Sequence, residues 1–240
     1  MAGWQLPEEV RQMPGSSLFD SLHQLARLLR ILRANAEDLV RELARLDDVD
    51  TMLAIWKRDE PQQLENYLDG VERRLYNFAA AVHSRVDYYR VLVNSGHIDG
   101  ALATEYRRRC DVAFTNEPVH LWLLGLRGYM LHYRLPRSLA RMNLSRQDGT
   151  VSSPFVMRSH VTVMTVEMVN YSGFKSRTKH WMRENPEIDL REELSGYLVR
   201  LDEFDQWFGR AFVEHHAIAL EAYLAAREEA IRSRFSYPLD

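Results

Sequence analysis

From residue 17 the chain falls into a leucine rhythm. In SSLFDSLHQLARLLRILRANAEDLVRELARLDD, the residues Leu18, Leu22, Leu25, Leu29, Leu32, Ala36, Leu39 and Leu43 recur three or four positions apart. That spacing lays them along one stripe of a long amphipathic helix, with Ser16 or Ser17 as its N-cap. VDTMLAIWKRD follows as a short helix or turn, stopped by Pro61. QQLENYLDGVERRLYNFAAAVHSRVDYYRVLVNSG is a second long helix, closed by Asn94-Ser95-Gly96. Two long helices joined this closely pack antiparallel. IDGALATEYRRRCDVAF gives a third helix, and TNEPV restarts the chain into a fourth. Asn116 or Glu117 caps that fourth helix, and Pro118 sits in its first turn, where a missing N–H costs nothing. It runs through Tyr133, and Pro136 prevents its continuation.

The helical pattern lapses from Ser138 to about Val166. SHVTVMTVEM alternates and is rich in β-branched residues, and Asp148-Gly149 is a hairpin turn signal. The expectation is one small hairpin, 139–146 with 154–164, as the only β structure. GFKSRTKHWMREN is then a short helix, and a single long terminal helix begins near Asp189. Residues 1–16, with Pro7, Pro14 and Gly15, read as an irregular arm. The fold class is therefore mostly α: a helical bundle with long helices and a small inserted β-hairpin (about 139–164), with residues 17–240 forming a single helical domain.

Composition changes this picture little. A chain of 240 residues, 46% hydrophobic and 27% charged, is ordinary globular material, long enough to bury a core. A net charge of −3 argues against bulk attraction to a polyanion. Of 31 basic residues only Lys57, Lys175 and Lys179 are lysine, leaving 28 arginines. Arginine forks suit carboxylate or phosphate, although a G+C-rich genome produces the same bias. Cys110 is the only cysteine, so one chain holds no disulfide and no Cys-based zinc site, and a reducing, cytoplasmic setting fits. Arg107, Arg108 and Arg109 precede it and are expected to lower its thiol pKa. The opening residues show no secretory signal, and no apolar run is long enough to span a bilayer, so no membrane partner is expected.

The fourth helix holds the main chemical anomaly. Between Val119 and Tyr133 apolar residues cover nearly the whole circumference, yet His120, Gly125, Arg127, Gly128 and His132 interrupt them. A guanidinium in such surroundings needs a carboxylate, a cleft or a bound anion. Each glycine weakens the helix by about 1 kcal/mol, a cost that makes sense where something approaches closely. From Pro118 through Gln147 there is no acidic residue, while Arg127, Arg134, Arg137, Arg141 and Arg146 form a local basic strip. Such a strip fits RNA phosphates, or else acids on the terminal helix such as Glu192, Glu193, Asp202, Glu203 and Asp205.

The stretch LRGYMLHYRLP, residues 126–136, resembles the Arg-x4–6-His motif of the HEPN superfamily. It looks most like a group of larger bacterial helical proteins with an RNY-x-x-HY-x-LP stretch. The spacing alone recurs at Arg90/His97 and Arg210/His215, so the resemblance rests on the whole stretch. It covers residues 117–136 well and about 155–210 loosely. The implied HEPN-like core is about 63–136 and 189–233. The resemblance implies a metal-independent endoribonuclease, of the kind used in toxin or antiphage defence, working as a homodimer. Arg127 would hold the scissile phosphate and His132 would transfer the proton. Arg134, Arg137, Arg141 and Tyr129 would contact substrate. No cofactor or metal is implied; RNA and an antitoxin or defence partner are the expected partners. After the arginine that group carries Asn, Asp or His, where this chain has Gly128. A non-catalytic helical dimer or interaction protein that retains the same core is the alternative.

Other constellations carry blander readings. Glu117-x-x-His120 has the spacing of di-iron ligands but lacks a second Glu-x-x-His, which favours Glu117 as a helix cap. His215 and His216 point about 100° apart on a regular helix and cannot chelate one ion. Tyr67, Tyr76, Phe78, Tyr88, Tyr89, Trp207, Phe208 and Phe212 are expected in the core.

Overall fold

A computed structural model describes residues 5–146 and 155–235. Among them the mostly α class holds. The long stripe forms α2 (Pro14–Ala44), and the second long pattern forms α4 (Pro61–Asn94). Between them α3 (Val49–Ile55) is capped by Asp48, whose carboxylate accepts from Thr51 N–H at 2.8 Å. Leu18, Leu25, Leu32, Ala36, Leu39 and Leu43 are all buried, so the stripe faces the bundle as its spacing requires. The core of α4 comes from Val71, Leu75, Phe78, Val82, Tyr89 and Leu92.

The N-terminal segment differs from an irregular arm. A helical turn, α1 (Glu8–Arg11), buries Val10, and α2 begins at Pro14, with Met13 rather than a serine as its N-cap. Proline at the first helical position is preorganised for the helix. Gly15 explains the early start: a Cβ there would collide with the backbone carbonyl of Ala219 and with Tyr223. Only glycine lets α2 lie this close to the C-terminal helix.

α5 (Gly100–Cys110) widens into a π-helical turn at Asp111–Thr115 before α6 (Pro118–His132). Glu117 caps α6 by accepting from His120 N–H, and its carboxylate also pairs with Arg200 at 2.9 Å. The capping reading of Glu117 therefore holds.

Strands β1 (Arg137–Arg146) and β2 (Phe155–Met164) pair antiparallel, from Arg137 opposite Met164 to Arg146 opposite Phe155. The Asp148-Gly149 turn lies outside the described residues. A third strand, β3 (Glu187–Asp189), adds to β2, with Val163 opposite Ile188. The hairpin is thus not the only β structure. Three residues carry too little pattern to announce a strand, and this one exists because β2 offers it a free edge. After β2 comes α7 (Ser176–Glu184).

The terminal helix is broken in two: α8 (Leu190–His215) and α9 (Ala217–Phe235). His216 leaves helical geometry at φ −109°, ψ 18°, while its ring Nε2 bonds to the carbonyl of His97 at 2.9 Å. No proline or glycine marks this kink in the sequence; a side-chain contact from another part of the chain accompanies it. Asp189 caps α8 by accepting from the N–H groups of Arg191 and Glu192. The buried apolar residues from α2 through α9 form one continuous cluster.

Candidate functional site

Two places on α6 carry chemistry, one at each end. At the C-terminal end the motif residues sit near the surface. Arg127 is half-buried and has no ion pair or hydrogen bond among the described residues. The deep burial expected of it is not found, because α6 emerges from the core in its last two turns. His132 is the last residue of α6 and is exposed. Leu131, Tyr133 and Leu135 around it are 45%, 55% and 59% exposed, an apolar surface beside an imidazole. Five residues on a regular helix separate Arg127 and His132 by about 140°, so one chain does not bring them together.

The two glycines do mark close approaches. The ring of Phe174 lies directly over Gly125, and the hydroxyl of Tyr171 comes within 3.3 Å of where a Cβ of Gly128 would stand. Tyr171, Phe174, Tyr129 and Tyr133 form an aromatic cluster with ring centroids 5.3–6.1 Å apart. Tyr129, 1% exposed, belongs to the core; it meets the surface only through its hydroxyl, which accepts from Arg134 Nε at 3.0 Å. Arg134 also pairs with Glu167 at 3.0 Å and lies over the Tyr133 ring. Arg141 pairs with Glu187. Arg137 is exposed, with no ion pair or side-chain hydrogen bond among the described residues. The side chain of Arg146 lies outside the described residues. Among the described residues none of the other strip arginines pairs with the terminal-helix acids: Asp202 pairs with Arg33 and Asp205 with Arg85.

At the N-terminal end of α6 lies a deeper cluster. Arg85 on α4 is 2% exposed and Asp205 on α8 is 5% exposed. The guanidinium forks onto the carboxylate, Nε donating at 2.9 and 3.0 Å and Nη2 donating to Oδ1. Tyr89 donates to the same Oδ1 at 2.8 Å. The rings of Tyr89, Phe114 and Phe204 stand 4.8, 5.0 and 5.1 Å from the guanidinium carbon. Burial opposes the charge on Arg85, but Asp205 and its hydrogen bonds more than offset this and hold the pKa above its ordinary value.

His120 is 5% exposed, its Nδ1 lies 2.8 Å from the Tyr197 hydroxyl, and its ring packs on Phe114. Burial, and secondarily the charge of Arg85, push its pKa down to about 3, so it is neutral at physiological pH. Cys110 borders the same cluster. Burial pushes its thiol pKa up, which reverses the expectation drawn from its three arginine neighbours. Arg108 and Arg109 are instead paired with Glu105, and Arg109 also lies over Trp207. Between α4, α5, the π-turn and α6, Arg85, Tyr89, Cys110, Phe114 and His120 line a cleft of about 320 Å³, with Arg90 and Lys175 also in its lining.

Pattern reading of the sequence passed over Arg85 and named Asp205 only as one of several acids open to the basic strip, but a signal for the pair existed. Val71, Leu75, Phe78, Val82, Arg85, Tyr89 and Leu92 are spaced four and three apart, so Arg85 occupies a core position of its helix. Asp205 stands likewise between Leu201, Phe204 and Phe208. One charge on the inner stripe of each of two helices, of opposite sign, is the mark of a buried pair.

Among the described residues no helix is long and apolar enough to cross a membrane, and no group of three or more His, Cys, Asp or Glu side chains is placed to hold a metal ion. No protein-family model, curated protein or solved structure matches the chain.

Proposed function

We propose that this chain acts on RNA as a HEPN-like, metal-independent endoribonuclease whose catalytic pair is assembled across a homodimer. One observation carries the reading: Arg127 is a half-buried cation with no carboxylate partner among the described residues, on the same helix end that exposes His132. An arginine kept free of acids in apolar surroundings is poised for an external anion. Exposed Leu131, Tyr133 and Leu135 give a second copy an apolar surface to cover, and a twofold there would set His132 of one chain near Arg127 of the other. Arg137 is unspent. The pairs Arg134–Glu167 and Arg141–Glu187 lie at the solvent boundary, where screening leaves them weak enough to exchange for phosphate.

In this chemistry His132 removes the proton of a ribose 2′-hydroxyl, whose oxygen attacks the adjacent phosphorus. Arg127 forks onto the non-bridging oxygens as negative charge grows there. The bond to the 5′-oxygen breaks, and that oxygen leaves with a proton. The products are a 2′,3′-cyclic phosphate and a 5′-hydroxyl.

The second reading is a non-catalytic helical dimer. It is favoured by Gly128, where the related group has a polar side chain and where the Tyr171 hydroxyl occupies the adjoining space. Incubation of single-stranded RNA with the protein in EDTA separates the two. The expected result is cleavage with 2′,3′-cyclic phosphate ends, lost by about 10²–10⁴-fold in His132→Ala, from a protein that light scattering finds dimeric. Cleavage that needs Mg²⁺ or survives His132→Ala, or a monomer at high micromolar concentration, overturns the composite site. A dimer that cleaves no RNA establishes the second reading.

A further inference from the structure

The cleft at the start of α6 has a polarity that its structural role does not require. His120 and Arg85 are both more than nine-tenths buried, yet each keeps one nitrogen without a partner among the described residues. Arg85 spends Nε and Nη2 on Asp205, while Nη1 makes no hydrogen bond and is not sealed within the protein. His120 spends Nδ1 on Tyr197, while Nε2 is likewise unbonded and unsealed. Both residues line the cleft, so it is an opening within reach of both nitrogens.

The tautomer of His120 follows from Tyr197. That phenol is completely buried and has no other acceptor among the described residues. Its hydrogen therefore goes to His120 Nδ1, since a buried unsatisfied hydroxyl costs about 1–3 kcal/mol. A neutral imidazole that accepts at Nδ1 carries its own proton on Nε2. The cleft thus receives an N–H from His120 and N–H groups from Arg85 Nη1, both donors. Lys175 adds a cation with no ion pair among the described residues, and Arg90 adds another, shared with Asp87. Asp205 is occupied by Arg85 and Tyr89, and no carboxylate is among the described residues of the lining. Val86, Phe114, Leu121 and Leu124 give the cleft an apolar wall beside Tyr106, Cys110 and Thr115.

We propose that this cleft binds a small organic oxyanion: a carboxylate or phosphate monoester on an apolar, ring-sized body. The oxygens lie against His120 Nε2 and Arg85 Nη1, and the body lies on Phe114 and Leu124. A volume of about 320 Å³ lies at the small end of ligand clefts and accommodates a ligand of that size. The buried Arg85–Asp205 pair fixes the guanidinium so that one edge faces the ligand, a use of a buried ion pair that stability alone does not supply. The site is independent of any action of Arg127 and His132 on RNA.

Calorimetric titration of the full-length protein with phenyl phosphate, benzoate, inorganic phosphate and phenol tests this. Phenyl phosphate or benzoate should bind saturably, at least tenfold more tightly than phosphate, which lacks the body, and than phenol, which lacks the charge. Which of the two wins identifies the headgroup. His120→Leu should weaken binding at least tenfold and Lys175→Ala about threefold. Lys175 is exposed, so its variant folds whether or not His120→Leu does. Absence of saturable binding by both anions up to 10 mM overturns the proposal, as does equal affinity for phenol or affinity unchanged in Lys175→Ala and His120→Leu.

Discussion

Removing one partner from the Arg85–Asp205 pair should be the most damaging single change in the bundle. Both residues are at least 95% buried, and the carboxylate is bonded by Arg85 and Tyr89 together. Asp205→Leu leaves a guanidinium among three aromatic rings with no counter-charge, and it strands the Tyr89 hydroxyl. Breaking a buried pair costs about 3–5 kcal/mol. For a chain of this length each kcal/mol lowers Tm by roughly 2–4 °C, so the expected loss is about 6–20 °C. Because Arg85 Nη1 reaches the cleft and its water, the lower half of that range is the better expectation. Arg85→Met should cost a similar amount by stranding Asp205. The double variant Arg85→Met/Asp205→Leu removes both charges and should be more stable than either single variant, with a coupling energy of at least about 2 kcal/mol. Urea denaturation followed by far-UV circular dichroism measures all three. If the two single losses simply add, the ion pair is screened by solvent, and the argument that it holds Arg85 in place fails.

Arg127→Ala should behave in the opposite way. With no partner to strand, it should leave the urea midpoint within about 0.5 kcal/mol of wild type or raise it, while any RNA cleavage disappears; a loss of several kcal/mol would reveal a structural role. His120 sets a pH dependence. Its folded pKa, about 3, lies below the ordinary 6.5, so as pH falls below 6.5 the unfolded chain binds a proton that the folded chain refuses. Stability from this residue is complete above pH 6.5 and declines toward pH 3, by about 2 kcal/mol at pH 5. Urea midpoints of wild type and His120→Gln at pH 7.5 and 5 check this: the extra acid sensitivity should vanish in the variant.

The parts of the fold that the sequence announced are those where one periodicity meets one burial face. Leu18 to Leu43 repeat at helical spacing because one side of α2 packs along its length on α4, α8 and α9. The run from Ser159 was legible as a strand by its β-branched alternation, although the burial of Ser159, Val161, Thr162 and Val163 covers both of its faces. What stayed hidden depends on contacts between distant positions. The strand at Glu187–Asp189 exists only by pairing with β2. The kink at His216 coincides with a bond to His97, 119 residues away. The motif helix was legible as a helix and as a place of unusual charge, but how far Arg127 is buried depends on where α6 leaves the core, which no local pattern encodes. Arg85 and Asp205 were masked differently. Charged residues on a helix usually mark its solvated face, and only their phase on the apolar stripe contradicts that reading.

The π-turn at Asp111–Thr115 makes chain length, rather than residue identity, the sensitive variable in one wall of the cleft. Its outer positions are undemanding: Asp111 is exposed and Val112 is 78% exposed, so many side chains would serve there. A wide turn of this kind holds one residue more than the α-helix it interrupts. Deleting any single residue between 111 and 115 would let the segment close as ordinary helix. The residues of α5 before the deletion would then turn by about 100° about its axis relative to Thr115. Tyr106 and Cys110 would swing off the cleft wall, and Phe114 would lose its place between Arg85 and His120. The segment can therefore drift in composition while remaining fixed in length.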